Sequence, residues 1–168
     1  MSVAGHGFGA AEKLTSDSFF AVASGMEKMK NSMFRYDAMT MVDLMPPSYF
    51  KFLGVSPDKI VKATQDGMQN LKTLGYVFKQ LQYHTPEHKY RCQELDVVLI
   101  TTTMTVDTPD GEVVNTGYVV ASRLLGKQRW YFVDGSGIAD KQVFDRIFHC
   151  DDSAFPIPKV SSHKKNPG

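Results

Sequence analysis

The sequence predicts an α+β fold in which N-terminal helices pack on an antiparallel sheet. Apolar residues between Phe19 and Leu71 recur at three- and four-residue spacing, the period of one helical face. From Tyr76 the period changes to two, and Val, Ile and Thr become dense, as a pleated surface prefers. The runs that follow are joined by short turn segments, "TPDG" and "GK", which connect antiparallel neighbours.

Thr15, Ser16, Asp17 and Ser18 offer caps for the first helix. Phe19, Val22, Ala23, Met26, Met29 and Met33 then form one apolar stripe. Asp37 restarts a helix with Ala38, Met41, Val42 and Met45, and Pro46–Pro47 ends it, because a residue before proline is pushed out of helical geometry. "SYFKFLG" reads as an aromatic-rich turn closed by Gly54. Ser56, Pro57 and Asp58 open a further helix that carries Ile60, Thr64, Met68 and Leu71 and stops at Gly75.

Four strands follow, over 76–84, 92–106, 113–125 and 128–134, with "HTPEHK" as a connection. A short helix spans roughly residues 139–148. The end, "FPIPKVSSHKKNPG", reads as a proline-fixed extended segment and a polar tail. The whole is one domain, 15–158, with a loose arm at 1–14 and a flexible tail at 159–168.

The turns fix a register. Gly126–Lys127 as a two-residue loop sets Ala121 against Phe132 and Arg123 against Trp130; "TPDG" as a four-residue loop sets Asp107 against Glu112, Val98 against Ala121 and Asp96 against Arg123. One face then carries Asp96, Val98, Ile100, Asn115, Val119, Ala121, Arg123, Trp130, Phe132 and Asp134. The other carries Leu95, Val97, Leu99, Thr101, Thr103, Thr116, Tyr118, Val120, Ser122, Leu124, Tyr131 and Val133. Both rows are largely apolar, so both need cover. The helices cover one. A second copy of the chain covers the other, giving a homodimer, or the C-terminal segment folds back over it.

Nineteen basic and eighteen acidic residues leave a net charge of +1, which gives no nucleic-acid footprint. The apolar runs are far short of a membrane span, and the N-terminus lacks a basic segment followed by a long apolar one. A cytoplasmic protein is expected, with Cys92 and Cys150 as two reduced thiols.

Asp134 is the leading candidate for chemistry. Its phase places it with Trp130 and Phe132, where apolar walls would raise its pKa and suit it to acid–base work. The simpler reading of "DGSG" is turn chemistry, in which Asp134 accepts from the following amides. His84 and His88 lie four apart, but Pro86 argues against the helix a metal pair would need, so no metal or other cofactor is expected. Cys150 beside His149 is not a catalytic pair by sequence adjacency alone.

"RYDAMTMVDLMPPSYFKFLG", the strands at 92–125 and "RWYFVDG" together resemble the nuclear transport factor 2-like superfamily, with its polyketide-cyclase-like and ketosteroid-isomerase-like members. The resemblance covers roughly residues 18–138. It implies a strongly curved sheet wrapped round the helices as a cone (the cystatin-like shape), a pocket at the open end and dimerisation through the sheet. The isomerase-like tyrosine position falls on Met29, and "PPSYFKFLG" replaces the segment that supplies the base. The expected function is therefore binding of a small apolar or aromatic ligand in the cone by Met29, Met33, Tyr36, Asn115, Val119, Trp130, Phe132 and Asp134. The alternatives are an isomerase, dehydratase or cyclase working through Asp134, and a protein-interaction module whose pocket is filled by its own side chains.

Overall fold

The computed structural model describes residues 11–150 and 155–165, so the arm at 1–10 and the last residues of the tail, 166–168, lie outside the described residues. The fold is α+β, with five α-helices and an open antiparallel sheet of seven strands among them.

The helices are α1 (Ser16–Phe34), α2 (Ala38–Asp43), α3 (Pro47–Leu53), α4 (Pro57–Thr73) and α5 (Lys141–Phe148). Thr15 caps α1 by accepting the Ser18 N–H, and Asp37 caps α2 through the Thr40 N–H. Ser56 stands at the N-cap of α4 but makes no side-chain capping bond; Pro57 supplies the start. The aromatic-rich turn is a helix, α3, because Pro47 sits in its first turn and Gly54 closes it at φ 67°.

The strands are β1 (Glu12–Lys13), β2 (Val77–Tyr83), β3 (His88–Cys92), β4 (Leu95–Thr108), β5 (Gly111–Leu124), β6 (Tyr131–Asp134) and β7 (Ser161–Lys164). The long β4–β5 hairpin is the spine. Its pairs run from Leu95 opposite Leu124 to Thr108 opposite Gly111, and include Asp96 opposite Arg123 and Asp107 opposite Glu112, as the turn arithmetic requires. β2 and β3 divide one edge of β4 between them, while β6 and β7 divide the far edge of β5.

Three sequence expectations change. The 92–106 strand is broken at Gln93–Glu94, where a tight turn joins β3 to β4, so His88 and Lys89 are strand residues rather than a connection. The last two residues before Leu14 and part of the C-terminal tail also pair with the sheet, as β1 on β3 and β7 on β5. Finally, β5 ends at Leu124 and β6 starts only at Tyr131. The register still sets Ala121 against Phe132. The intervening segment is drawn off the sheet: Leu125 donates to the Glu94 carbonyl, and Arg129 donates to the Asp43 carbonyl at the end of α2.

Two cores lie on the two faces. On the front, Val22, Met26 and Met29 of α1 pack with Val98, Ile100, Val119, Ala121, Trp130 and Phe132. On the back, Val97, Tyr118, Val120 and Val133 are covered by Tyr49 of α3, by Phe144, Ile147 and Phe148 of α5, and by Phe155. Burying each large α5 side chain contributes about 1.5–3 kcal/mol. The apolar back face that called for a second copy is thus covered by the chain's own α5 and C-terminal segment, and the homodimer loses its motive. The outer part of that face is polar: Gln82, Thr103, Thr116 and Ser161 lie in one cross-strand row.

Cys92 and Cys150 are joined as a disulfide within the back core. This corrects the expectation of two reduced thiols. The unrecognised β3–β4 turn brings the end of β3 under the C-terminus of α5, so two cysteines 58 residues apart become neighbours.

Candidate ligand-binding site

The eight residues expected to line a cone pocket fall in four separate places. Met29, Met33, Val119, Trp130 and Phe132 are buried core residues. Phe132 lies so close to α1 that a Cβ on Gly25 would stand 2.1 Å from its ring tip, so no ligand space remains there. Tyr36 sits at the far end of α1, its ring 6.1 Å from that of Phe78 and beneath the Lys72 ammonium. Asn115 lies on β5 between Met104 and Ser162.

Asp134 shares a cross-strand position with Val119, as its phase requires. Its carboxylate is engaged locally: it caps the short 3₁₀ turn Gly135–Gly137 by accepting the Ser136 N–H at 2.8 Å. This is the turn role. Nearby, burial pushes the Tyr49 and Tyr118 phenols above their ordinary range, and the charge of Asp134 adds to this. The Tyr49 hydroxyl donates to the Gly137 carbonyl, which ties α3 to the same turn.

The row Asp96, Arg123, Trp130 forms a buried ionic cluster. Asp96 is 1% exposed and receives Arg123, Lys89 and Arg91 at 2.9–3.2 Å. Burial pushes its carboxyl up, but these three cations outweigh that and hold it below the ordinary carboxylate range. Arg123 also donates to Ser18 Oγ and stacks over the Trp130 ring at 4.7 Å, so the cluster clamps the start of α1 to the sheet. It is a structural tie with no hollow beside it among those named here.

His84 and His88 flank the β2–β3 connection rather than sharing a helix, and no group of metal-ligating side chains occurs among the described residues.

Hollows occur elsewhere. An open groove of about 490 Å³ runs between α2, α3 and α4, over Met39, Val42, Phe50 and Val61. A wider one, of about 840 Å³, lies between α1, at Phe19, Glu27 and Lys30, and the sheet at Leu81, Tyr83 and Thr102. A third, more enclosed than these two, is a recess of about 290 Å³ on the back face. The sequence placed Leu95, Ser122, Leu124 and Tyr131 together on this second row, and all four line it. Pro46, Pro47 and Ser48 at the start of α3 form one wall, and Ile147 of α5 another. Gln93, Glu94 and His149 form an exposed rim.

Sequence reasoning missed this site because the back row reads as a face to be covered whole, by a second copy or by the C-terminal segment. The signal that could have found it is Ser122, a hydroxyl set in an apolar row. Ser122 is 3% exposed, and its side chain bonds to no other described residue. The recess therefore offers an apolar floor, hydroxyl-bearing residues at Ser48, Ser122 and Tyr131, and a polar rim. Ser122, His149 and Glu94 are residue types that can support nucleophilic catalysis, yet no hydrogen bond joins them, so the arrangement is one for holding a molecule.

Compared with family models, curated proteins and solved structures, the chain matches none.

Proposed function

We propose that this protein binds a small, largely apolar molecule with a hydrogen-bonding end, and that the site is the back-face recess rather than the interior of a cone. The observation that carries the reading is the contrast between the two faces. Where α1 crosses the sheet at Gly25 the front is filled by Phe132, whereas the back keeps a partly enclosed hollow lined by Ser122. The volume is near the low end for ligand sites, which suits a single-ring or short aliphatic compound. Among the described lining residues there is one carboxylate, Glu94, and no lysine or arginine. A neutral or basic ligand end is favoured over an acid by that charge pattern.

The reading is of a binding protein, not an isomerase, dehydratase or cyclase, since the Asp134 carboxylate is committed to its turn. It keeps kinship with the nuclear transport factor 2-like superfamily as part of the proposal, supported by helices that precede and pack on an antiparallel sheet. It departs from that superfamily's usual pocket and replaces dimerisation with a monomer. The disulfide supports folding in an oxidising compartment in place of the cytoplasm. No helix of the described residues is long and apolar enough to cross a membrane.

Calorimetric titration with 2-phenylethylamine and with phenylacetate, its acidic counterpart, tests this. The amine should bind at least tenfold more tightly than the acid, and Ser122→Leu should abolish binding while leaving the circular dichroism unchanged. Undiminished binding to the Ser122→Leu protein would remove the recess as the site.

A further inference from the structure

Three non-glycine residues among those described hold a positive φ: Tyr36, Gln93 and His149. Such backbone geometry is disfavoured for any residue with a Cβ and persists where the surroundings impose it. Gln93 (φ 52°) and His149 (φ 58°) both stand on the rim of the recess. They come from distant parts of the chain: Gln93 opens the β3–β4 turn, and His149 caps the end of α5. Each is the immediate neighbour of a disulfide cysteine, Gln93 after Cys92 and His149 before Cys150.

From this juxtaposition, and resting on the recess as the ligand site, we infer that the Cys92–Cys150 bond is the positioning element of the site: the recess takes its ligand only in the disulfide form. The bond fixes the end of β3 against the segment leaving α5, and so sets the separation of the two rim residues. Neither glycine nor asparagine, the usual occupants of left-handed positions, stands at either place, so the side chains themselves are what the strained backbone presents. His149 is positioned to meet the polar end of a ligand whose apolar body lies on Leu95, Leu124 and Ile147, with Gln93 also on the rim. Both cysteines are 1% exposed, which shields the bond from casual exchange.

The test compares 2-phenylethylamine binding to the full chain before and after reduction by a trialkylphosphine. That reagent cleaves the S–S bond, becomes a phosphine oxide with water as the oxygen source, and leaves two protein thiols. Circular dichroism confirms that the reduced protein is folded. The expected result is a loss of affinity of at least tenfold on reduction, matched by Cys92→Ala/Cys150→Ala. Equal affinity in the folded oxidised and reduced forms overturns the inference and leaves the recess reading standing. Absence of binding to the oxidised protein overturns both. Reduction can instead unfold the chain. A single glycine inserted between His149 and Cys150 then decides the matter, since it permits the bond while freeing His149 from it. A tenfold loss with the disulfide intact supports the inference, and unchanged affinity overturns it.

Discussion

Asp96 and Arg123 face each other across β4 and β5, with the guanidinium Nη2 2.9 Å from the carboxylate Oδ2 and the aspartate sealed from solvent. Three cations share this one anion. Asp96→Asn leaves them buried or half-buried without their counter-charge, and the expected loss is about 3–5 kcal/mol, the range for breaking a buried ion pair. Denaturant unfolding measures it. A loss below about 1 kcal/mol would place the cluster with ordinary surface pairs. The carboxyl is held below its ordinary range in the fold, so its contribution is fully present above about pH 4 and is lost as pH falls through the lower folded value. Stability of the wild type should therefore fall more steeply in acid than that of Asp96→Asn.

Gly25 and Phe132 form the closest helix–sheet approach on the front face. Alanine at position 25 gains about 0.5–1 kcal/mol of helix propensity, but overpacking against a buried ring costs about 1–3 kcal/mol. Gly25→Ala should thus be net destabilising. In a Phe132→Leu background the clash is removed, and the same substitution should become stabilising. A thermal-denaturation cycle over the four proteins reads the coupling. Additive effects would show that the front interior has room to spare.

Removing the disulfide should cost about 4 kcal/mol by the loop-entropy relation, given the separation of 58 residues. Because the loop closed by the bond contains β4, β5 and β6, the loss should appear chiefly as faster unfolding of the back layer, seen as hydrogen exchange at Phe144, Ile147 and Tyr118. Stability unchanged on reduction would mean that α5 holds its place by packing alone.

Much of this architecture was legible in the sequence because turn chemistry sets register. "TPDG" alone determined that Asp96 meets Arg123 and Val98 meets Ala121, and both pairs hold along the whole hairpin. The caps Thr15 and Asp37 likewise marked real helix starts. The site was less legible, for physical reasons. Period-two reading sorts residues to faces but does not say what covers a face, so Leu95, Ser122 and Tyr131 group together while their cover stays open between a second copy and the chain's own C-terminal segment. The β3–β4 turn carries glutamine and glutamate where glycine or asparagine would announce a reversal, so the strand reads as starting at Cys92 and running through the turn, with His88–Lys89 in a connection. With that turn unseen, nothing placed Cys92 beside Cys150, and the rim of the recess stayed out of view.

Asp134 separates the turn role from a chemical one. Asp134→Ala removes the acceptor for the Ser136 amide and should cost about 1 kcal/mol, as for the loss of a helix cap. Asp134→Asn keeps a carbonyl oxygen there and should leave both stability and 2-phenylethylamine affinity within twofold of wild type. A folded Asp134→Asn protein that no longer binds the amine would return the carboxylate to the site.

The most direct measurement is a backbone amide nuclear magnetic resonance titration with 2-phenylethylamine. The account predicts shift changes clustered at Gln93, Leu95, Ser122, Tyr131 and His149, with Met29, Val119 and Phe132 unmoved. Changes concentrated on α1 and the front of the sheet, with the back recess silent, would contradict it.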